Sequence, residues 1–296
     1  MEETFRKPDF LIIGAQKSAT TWLWDVLDSH PGTDLPGKKE IHFFGGVENY
    51  KKGKEWYYNH FKNLDQTKLT GEASTSYLYD HIPYWNNSSN LIEVSHSLPT
   101  IPELITNEIP NVKIIVILRD PVSRAISAYK HNMRKANRNN IAVKVGLKNF
   151  ATHYPKFRTL EYGYYARYLR LWMQFIPPEK MLILTYEKDI AEAKMHTISK
   201  VYEFLGLDKN FKPPEADTVP NKSWSWTRIL FNYYTKPVFG KFIRSKYGKV
   251  LDKYDLLASF AISKKDIEFL RAAYLPEHIE LEEILGRKLT NWKYGH

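Results

Sequence analysis

Three short stretches carry residue types that could do chemistry. Gly14-Ala15-Gln16-Lys17-Ser18-Ala19-Thr20-Thr21 puts one glycine, one lysine and a cluster of hydroxyls into a compact turn. Such a turn offers backbone N–H groups, an ammonium and hydroxyl donors to one small anion, which suits a phosphate. Lys39-Glu40-Ile41-His42-Phe43-Phe44 carries a carboxylate and an imidazole on a segment anchored by Ile41, Phe43 and Phe44. In Arg119-Asp120-Pro121 a guanidinium precedes a helix start, with Asp120 able to cap and Pro121 suited to the first turn.

Strands and helices must position these groups. The apolar run Phe10-Leu11-Ile12-Ile13 suits a strand buried on both faces, and Val112 to Leu118 is a longer one that delivers Arg119. Residues 68–72 and 181–185 read as two further strands. Trp22, Leu23, Val26 and Leu27 recur at helical spacing after the lysine turn, so a helix N-terminus points at that turn. Further helices are predicted over 51–61, from Pro121 past Met133, over 162–173 and up to Gly206. Two more are predicted at 264–274 and 276–285. Residues 81–102 read as a long loop and 134–140 as a mobile basic rim. Buried strands alternating with helices imply an α/β fold, a central parallel sheet with helices on both faces. Ligands in such folds bind beyond the strand C-termini, so Lys17, Glu72 and Arg119 are expected to converge there. With no internal repeat and no convincing linker, the 296 residues read as a single domain.

Composition narrows the classes. Hydrophobic residues at 43% and charged residues at 26% fit a globular protein, and the net charge of +10 favours an anionic ligand or partner. The 20 tyrosines and 8 tryptophans serve mainly as core, with some left for stacking on a ligand. The absence of cysteine removes disulfides, thiolate metal sites and a cysteine nucleophile. No membrane-length apolar run and no signal-peptide pattern occur, so a soluble, cytoplasmic protein is expected; a Golgi-lumen catalytic domain excised from a longer chain fits as well.

A nucleoside triphosphatase would need G-x-x-x-x-G-K-[ST], but no glycine precedes Lys17 and the strongest strand ends in Arg119 rather than an acidic residue. Residues 13–21 instead resemble the 5′-phosphosulfate loop of sulfotransferases that use 3′-phosphoadenosine 5′-phosphosulfate. Residues 117–129, Ile-Leu-Arg-Asp-Pro-Val-Ser-Arg-Ala-Ile-Ser-Ala-Tyr, resemble their 3′-phosphate segment. Lys39 to Phe44, Gly163-Tyr164-Tyr165 to Trp172 and Tyr202 to Gly206 are similar to the heparan sulfate N- and O-sulfotransferase branch, which includes bacterial members. The likeness covers residues 8–208, and the tail from 209 to 296 matches poorly, being expected to cover the cofactor.

The resemblance implies roles. Lys17 would stabilise the leaving 5′-phosphate, helped by Gln16, Ser18, Ala19, Thr20 and Thr21, so no metal is required. Arg119 and Ser127 would bind the 3′-phosphate, with Tyr165 also at the donor. Glu40 would be the general base, His42 would orient the acceptor or share the proton, and His131 is a further candidate near the transferred group. Lys222 and Arg228 stand nearest to the family's C-terminal donor-covering segment, with Lys246 as a further option. Glu72 matches a family glutamate, but Ala73 replaces the lysine that often follows it.

A rim of Lys38, Lys39, Lys51, Lys52, Lys54, Arg134, Lys135 and Arg138, with tryptophan and tyrosine platforms, suits an acidic glycan acceptor. An acyl chain on an acidic carrier protein or a small alcohol is the alternative; a protein tyrosine is a further one. A non-catalytic polyanion binder is a reading from another class. Nucleic acid and membrane are not expected as partners, and the oligomeric state is left open.

Overall fold

The computed structural model describes residues 5–80, 99–135, 145–218, 224–235, 247–248, 250–253 and 262–292. Four strands form one parallel sheet: β1 (Phe10–Gly14), β2 (Gly71–Ala73), β3 (Lys113–Leu118) and β4 (Met181–Thr185), in the order β2-β1-β3-β4. All five residues of β1 and five of the six in β3 are buried, as expected of a sheet covered on both faces. The α/β architecture read from the alternating pattern is therefore the observed one.

Chain order fixes where a ligand can sit. From β1 the chain first adds β2 on one side and then β3 on the other, so the order reverses between β1 and β3. The crevice beyond the C-terminal ends of two such strands is the open end of an α/β sheet. The β1–β3 register also slips between Ile12 and Gly14, where the lysine turn leaves the sheet.

Residue contacts divide the chain into two units, each assembled from separated segments. No linker composition marks that division, because neither unit is continuous in sequence. The first unit holds the sheet, residues 1–120, 165–220 and 279–292. Its core packs α1 (Thr20–Asp28) against the sheet through Trp22, Leu23, Val26 and Leu27, with Phe10, Ile12, Ile115 and Ile117 beneath. Two short helices follow, α2 (Val47–Tyr50) and α3 (Gly53–Tyr58), then α4 (Ile101–Glu108). The helix predicted over 51–61 is observed as the shorter α3, Gly53–Tyr58, with α2 before it; α3 opens on Gly53, whose φ of 83° is left-handed. As a surface helix should, it exposes Lys54 and Glu55 and buries Tyr57 and Tyr58.

The second unit, residues 121–164 and 221–278 with the last four, contains α5 (Pro121–Met133) and α6 (Leu147–His153). α7 (Tyr165–Trp172) and α8 (Lys194–Leu205) return to the first unit; α9 (Trp226–Thr235) lies in the second. The core of the second unit gathers Val122, Ala125, Tyr129, Leu147, Phe150, Trp226, Ile229, Leu270 and Tyr274. The two closing helices predicted from Pro276 are one, α10 (Lys264–Leu285), with Pro276 inside it. A proline removes one N–H from the ladder without stopping a helix whose flanks are strong enough. Most of the predicted loop at 81–102 and residues 136–140 lie outside the described residues. Among the described residues no helix is long and apolar enough to cross a membrane.

Candidate functional site

The lysine turn runs into a helix start that no side chain caps. Ala19 is the N-cap of α1 and has no side chain with which to cap it, and the first turn of α1 holds no acidic residue. Helix N–H groups there look out along the positive end of the helix dipole. Lys17 and Ala19 are left-handed, with φ of 71° and 70°, which curls the turn around one point. Ser18 is fully buried, and its hydroxyl has no hydrogen-bond partner among the described residues. An orphaned hydroxyl in an uncapped helix start fits a phosphate. Thr20 is buried beside it, while Gln16, Lys17 and Thr21 are half-buried. Gly14 leaves no room for a side chain: a Cβ there would come within 2.9 Å of the Leu78 Cβ.

Arg119 closes the turn from β3. Its Nη1 donates to the Lys17 carbonyl at 3.0 Å, and the guanidinium lies 4.8 Å from the Tyr186 ring centroid. Its Nε is buried with no hydrogen-bond partner among the described residues, so part of the fork is available to an anion.

Glu40 and His42 form the third side. Both are left-handed, with φ of 62° and 54°, in a segment held by the chain leaving β2. The Glu40 N–H donates to the Ala73 carbonyl at 3.0 Å, the His42 N–H to Ser74 Oγ at 2.9 Å, and Asn49 Nδ2 to the Ile41 carbonyl at 2.8 Å. Ile41, Phe43 and Phe44 are buried, the tether that their apolar character implied. His42 lies between two oxygens, with Nδ1 2.7 Å from Ser76 Oγ and Nε2 3.7 Å from Glu40 Oε2. Lys39 Nζ is 3.3 Å from Glu40 and donates to Thr21 Oγ1 at 3.1 Å, tying this segment to the lysine turn. The His42 imidazole facing it, with Lys39 beside it, holds the Glu40 carboxyl down at about 2 against the opposing effect of burial.

Of the five non-glycine residues with positive φ among those described, four are Lys17, Ala19, Glu40 and His42. Each such residue costs on the order of 1–3 kcal/mol, and strain of this kind gathers at working sites.

Glu72 does not join this group. It lies within β2, fully buried, where Tyr57 and Tyr77 donate to its carboxylate at 2.8 Å and Ser74 donates as well. Burial raises its carboxyl despite those three hydroxyls. The expected convergence of Glu72 with Lys17 and Arg119 is thus corrected, because its side chain points into a hydroxyl cage rather than the crevice. Tyr57 and Tyr77 belong to a support that sequence reading passed over, since tyrosines there looked like ordinary core.

The remaining expected residues are placed as follows. Tyr165 opens α7, nearly fully buried, its ring 6.1 Å from that of Trp292. In the second unit, Ser127 and His131 stand on α5 four residues apart, on one face of that helix. Arg228 is on α9, paired with Asp252 and stacked 3.9 Å from the Trp224 centroid, with Arg134 at 4.1 Å from the same ring. Lys222, Lys246 and Arg138 lie outside the described residues. Of the basic rim, Lys52 and Lys38 sit 4.2 and 5.7 Å from the Trp56 centroid, while Lys54 pairs with Glu108 and Lys51 with Glu48.

Comparison with known proteins converges on one group. The family model described as "Sulfotransferase domain" matches residues 7–223. The mouse (Mus musculus) bifunctional heparan sulfate N-deacetylase/N-sulfotransferase 3 is 26% identical over 304 residues, covering 97% of this chain and 31% of that protein. The chain therefore spans about a third of the length of that relative. Mouse heparan sulfate glucosamine 3-O-sulfotransferase 5 is 27% identical over 293 residues, covering 96% of this chain and 74% of that protein. The crystal structure of a sulfotransferase from Alicyclobacillus acidocaldarius superposes with a TM-score of 0.65 at 21% identity, over 97% of this chain and 99% of that one.

Proposed function

The chain belongs to the sulfotransferase domain family, whose members use 3′-phosphoadenosine 5′-phosphosulfate, and on that premise we propose that it sulfates a glycan hydroxyl or amine. One observation carries the reading. Arg119 is bonded to the Lys17 carbonyl while Lys39 joins Glu40 to Thr21, so cation, hydroxyls and carboxylate share the open end of the sheet.

The donor supplies the sulfuryl group to be transferred. Lys17, the helix N–H groups and Ser18 hold the 5′-phosphate and stabilise the charge it gains as the S–O bond to it breaks. Arg119 presents its fork to the 3′-phosphate; Ser127 is assigned to that phosphate on family likeness alone. Glu40 accepts the proton as the acceptor oxygen or nitrogen bonds to sulfur. Because it is held charged down to about 2, it is always ready to accept; because it is then a weak base, proton transfer accompanies sulfuryl transfer rather than preceding it. His42 keeps Glu40 in its pose and shares the proton. His131, Tyr165, Lys222 and Arg228 are assigned to the acceptor and donor margins on family likeness alone.

The acidic glycan as acceptor is supported by the Lys38–Trp56–Lys52 stack, a ring flanked by ammonium groups that suits a sugar carrying negative charge. It is supported too by the two heparan sulfate enzymes among the relatives. Mass spectrometry after incubation with donor and a panel of glycans, carrier-bound acyl chains and small alcohols tests it. A mass gain on the glycans is expected; a gain only on acyl chains or alcohols would move the acceptor to that class. Calorimetry with 3′,5′-adenosine bisphosphate should detect binding, and Glu40→Ala should abolish turnover while keeping that binding. Absence of bisphosphate binding, or steep salt-dependent polyanion binding that ignores Glu40, would replace the enzyme by a polyanion binder.

A further inference from the structure

Behind Arg119 lies a connection that none of the site motifs contains. β4 ends at Thr185 and runs into one π-helical turn, Tyr186–Glu192. The residues after α10 return to this turn and hold it with three side chains. Arg287 Nη2 donates to Thr185 Oγ1 and to Asp189 Oδ2, each 3.2 Å away. Asn291 Nδ2 donates to Glu192 Oε1 at 2.8 Å, and Trp292 Nε1 donates to Glu187 Oε2 at 2.9 Å.

Glu187 is where the two paths meet. Its second oxygen, Oε1, accepts the backbone N–H of Asp120 at 3.1 Å, one residue past Arg119. Tyr186, next to it, lies under the Arg119 guanidinium. Arg119 and Asp120 therefore rest on Tyr186 and Glu187, and Glu187 is fixed from behind by Trp292. A largely buried carboxylate is costly when one of its donors is lost, so this arrangement resists any shift of the Arg119 turn. The indole ring of Trp292 also packs edge-on against Tyr165.

We propose that Glu187 is a positioning residue for the donor nucleotide, holding Arg119 in register for the 3′-phosphate and being held in turn by Trp292, resting on the assignment of Arg119 made above. Glu187 acts through Arg119 and Asp120 and does not touch the nucleotide. Its effect therefore falls on discrimination between nucleotides with and without a 3′-phosphate, which a general loss of stability would not move.

Calorimetry on the full chain with 3′,5′-adenosine bisphosphate and with adenosine 5′-monophosphate reads this ratio. The wild type should prefer the bisphosphate, and Arg119→Ala should lose that preference. Trp292→Phe keeps a six-membered ring against Tyr165 and removes the N–H donor together with the five-membered ring that bears it. Glu187→Gln can still accept from Asp120 but turns an amide donor toward the indole. Each should cut the preference about three- to tenfold while monophosphate affinity holds, the size expected for one lost hydrogen bond of ordinary strength felt through Arg119. Glu187→Ala, which loses both bonds, should cut it further. An unchanged preference in Trp292→Phe and Glu187→Gln, with Arg119→Ala behaving as stated, overturns the positioning role and leaves the donor assignment standing. An equal loss for both nucleotides also overturns it. A wild type without preference overturns the donor assignment and the positioning role with it.

Discussion

At the scale of residues, backbone strain is concentrated on Lys17, Ala19, Glu40 and His42, three of which bear ionisable side chains. Removing His42 should be informative because of its effect on Glu40. The neighbouring His42 imidazole is the main reason that the Glu40 carboxyl lies at about 2, below its ordinary range. A carboxyl lowered in the folded state contributes stability above its ordinary value and loses it as pH falls toward the lowered one. In His42→Ala that value rises again, so Glu40 takes up a proton at higher pH. The acid limb of the rate profile, followed by sulfate transfer across pH 3 to 8, should move upward relative to the wild type. Lys17→Ala should lower kcat by roughly a hundredfold or more, the cost of deleting one donor to a developing charge. A loss confined to KM would mean that Lys17 binds the donor without stabilising the leaving phosphate. Lys17, Glu40 and Arg119 were legible because each sits in a run of residues with a recognisable order. Glu187 and Trp292 were not, since a glutamate that accepts a backbone N–H and an indole near the chain end have no pattern of their own. Glu72 misled for a related reason: sequence places it at a strand end but does not say which way the carboxylate faces.

At the scale of elements, the strands were legible to within a few residues because apolar runs buried on both faces leave little ambiguity. β4 spans Met181–Thr185, the segment predicted. Helix ends were legible where a residue of special conformation stands. Gly206 terminates α8 with a φ of 83°, and Gly206→Ala should cost about 1 kcal/mol in chemical denaturation. α4 went unread although Thr100-Ile-Pro-Glu103 announces it. The Thr100 hydroxyl accepts the Glu103 N–H, and the Glu103 carboxylate accepts the Thr100 N–H. Thr100→Ala should therefore destabilise the fold by about 1 kcal/mol. The opposite error occurred at Pro276, where a residue that usually breaks helices sits in the interior of α10. Pro276 is exposed, so Pro276→Ala should restore a ladder N–H without opening a void. Its melting temperature should rise; a fall would mean that the proline shapes the helix in a way that its neighbours require.

At the scale of the whole molecule, the net charge of +10 sets how an anionic acceptor is met. Raising salt from about 50 to 200 mM should weaken glycan binding through screening, whereas contacts of partly buried groups such as Ser18 and Arg119 are screened less. Comparing the two affinities across that range would separate long-range attraction from the donor grip; parallel decline would assign both to screening alone. The sheet order has a consequence in time as well. β1 is made first yet lies in the middle, and its neighbour β3 ends roughly a hundred residues later. At a synthesis rate of about 5–20 residues per second, the lysine turn waits on the order of 5 to 20 s for Arg119 to leave the ribosome. Trp292 follows 173 residues after Arg119. A nascent chain therefore carries its most anion-hungry loop long before the strand that completes it, and nucleotide capture must wait for β3 and for Trp292.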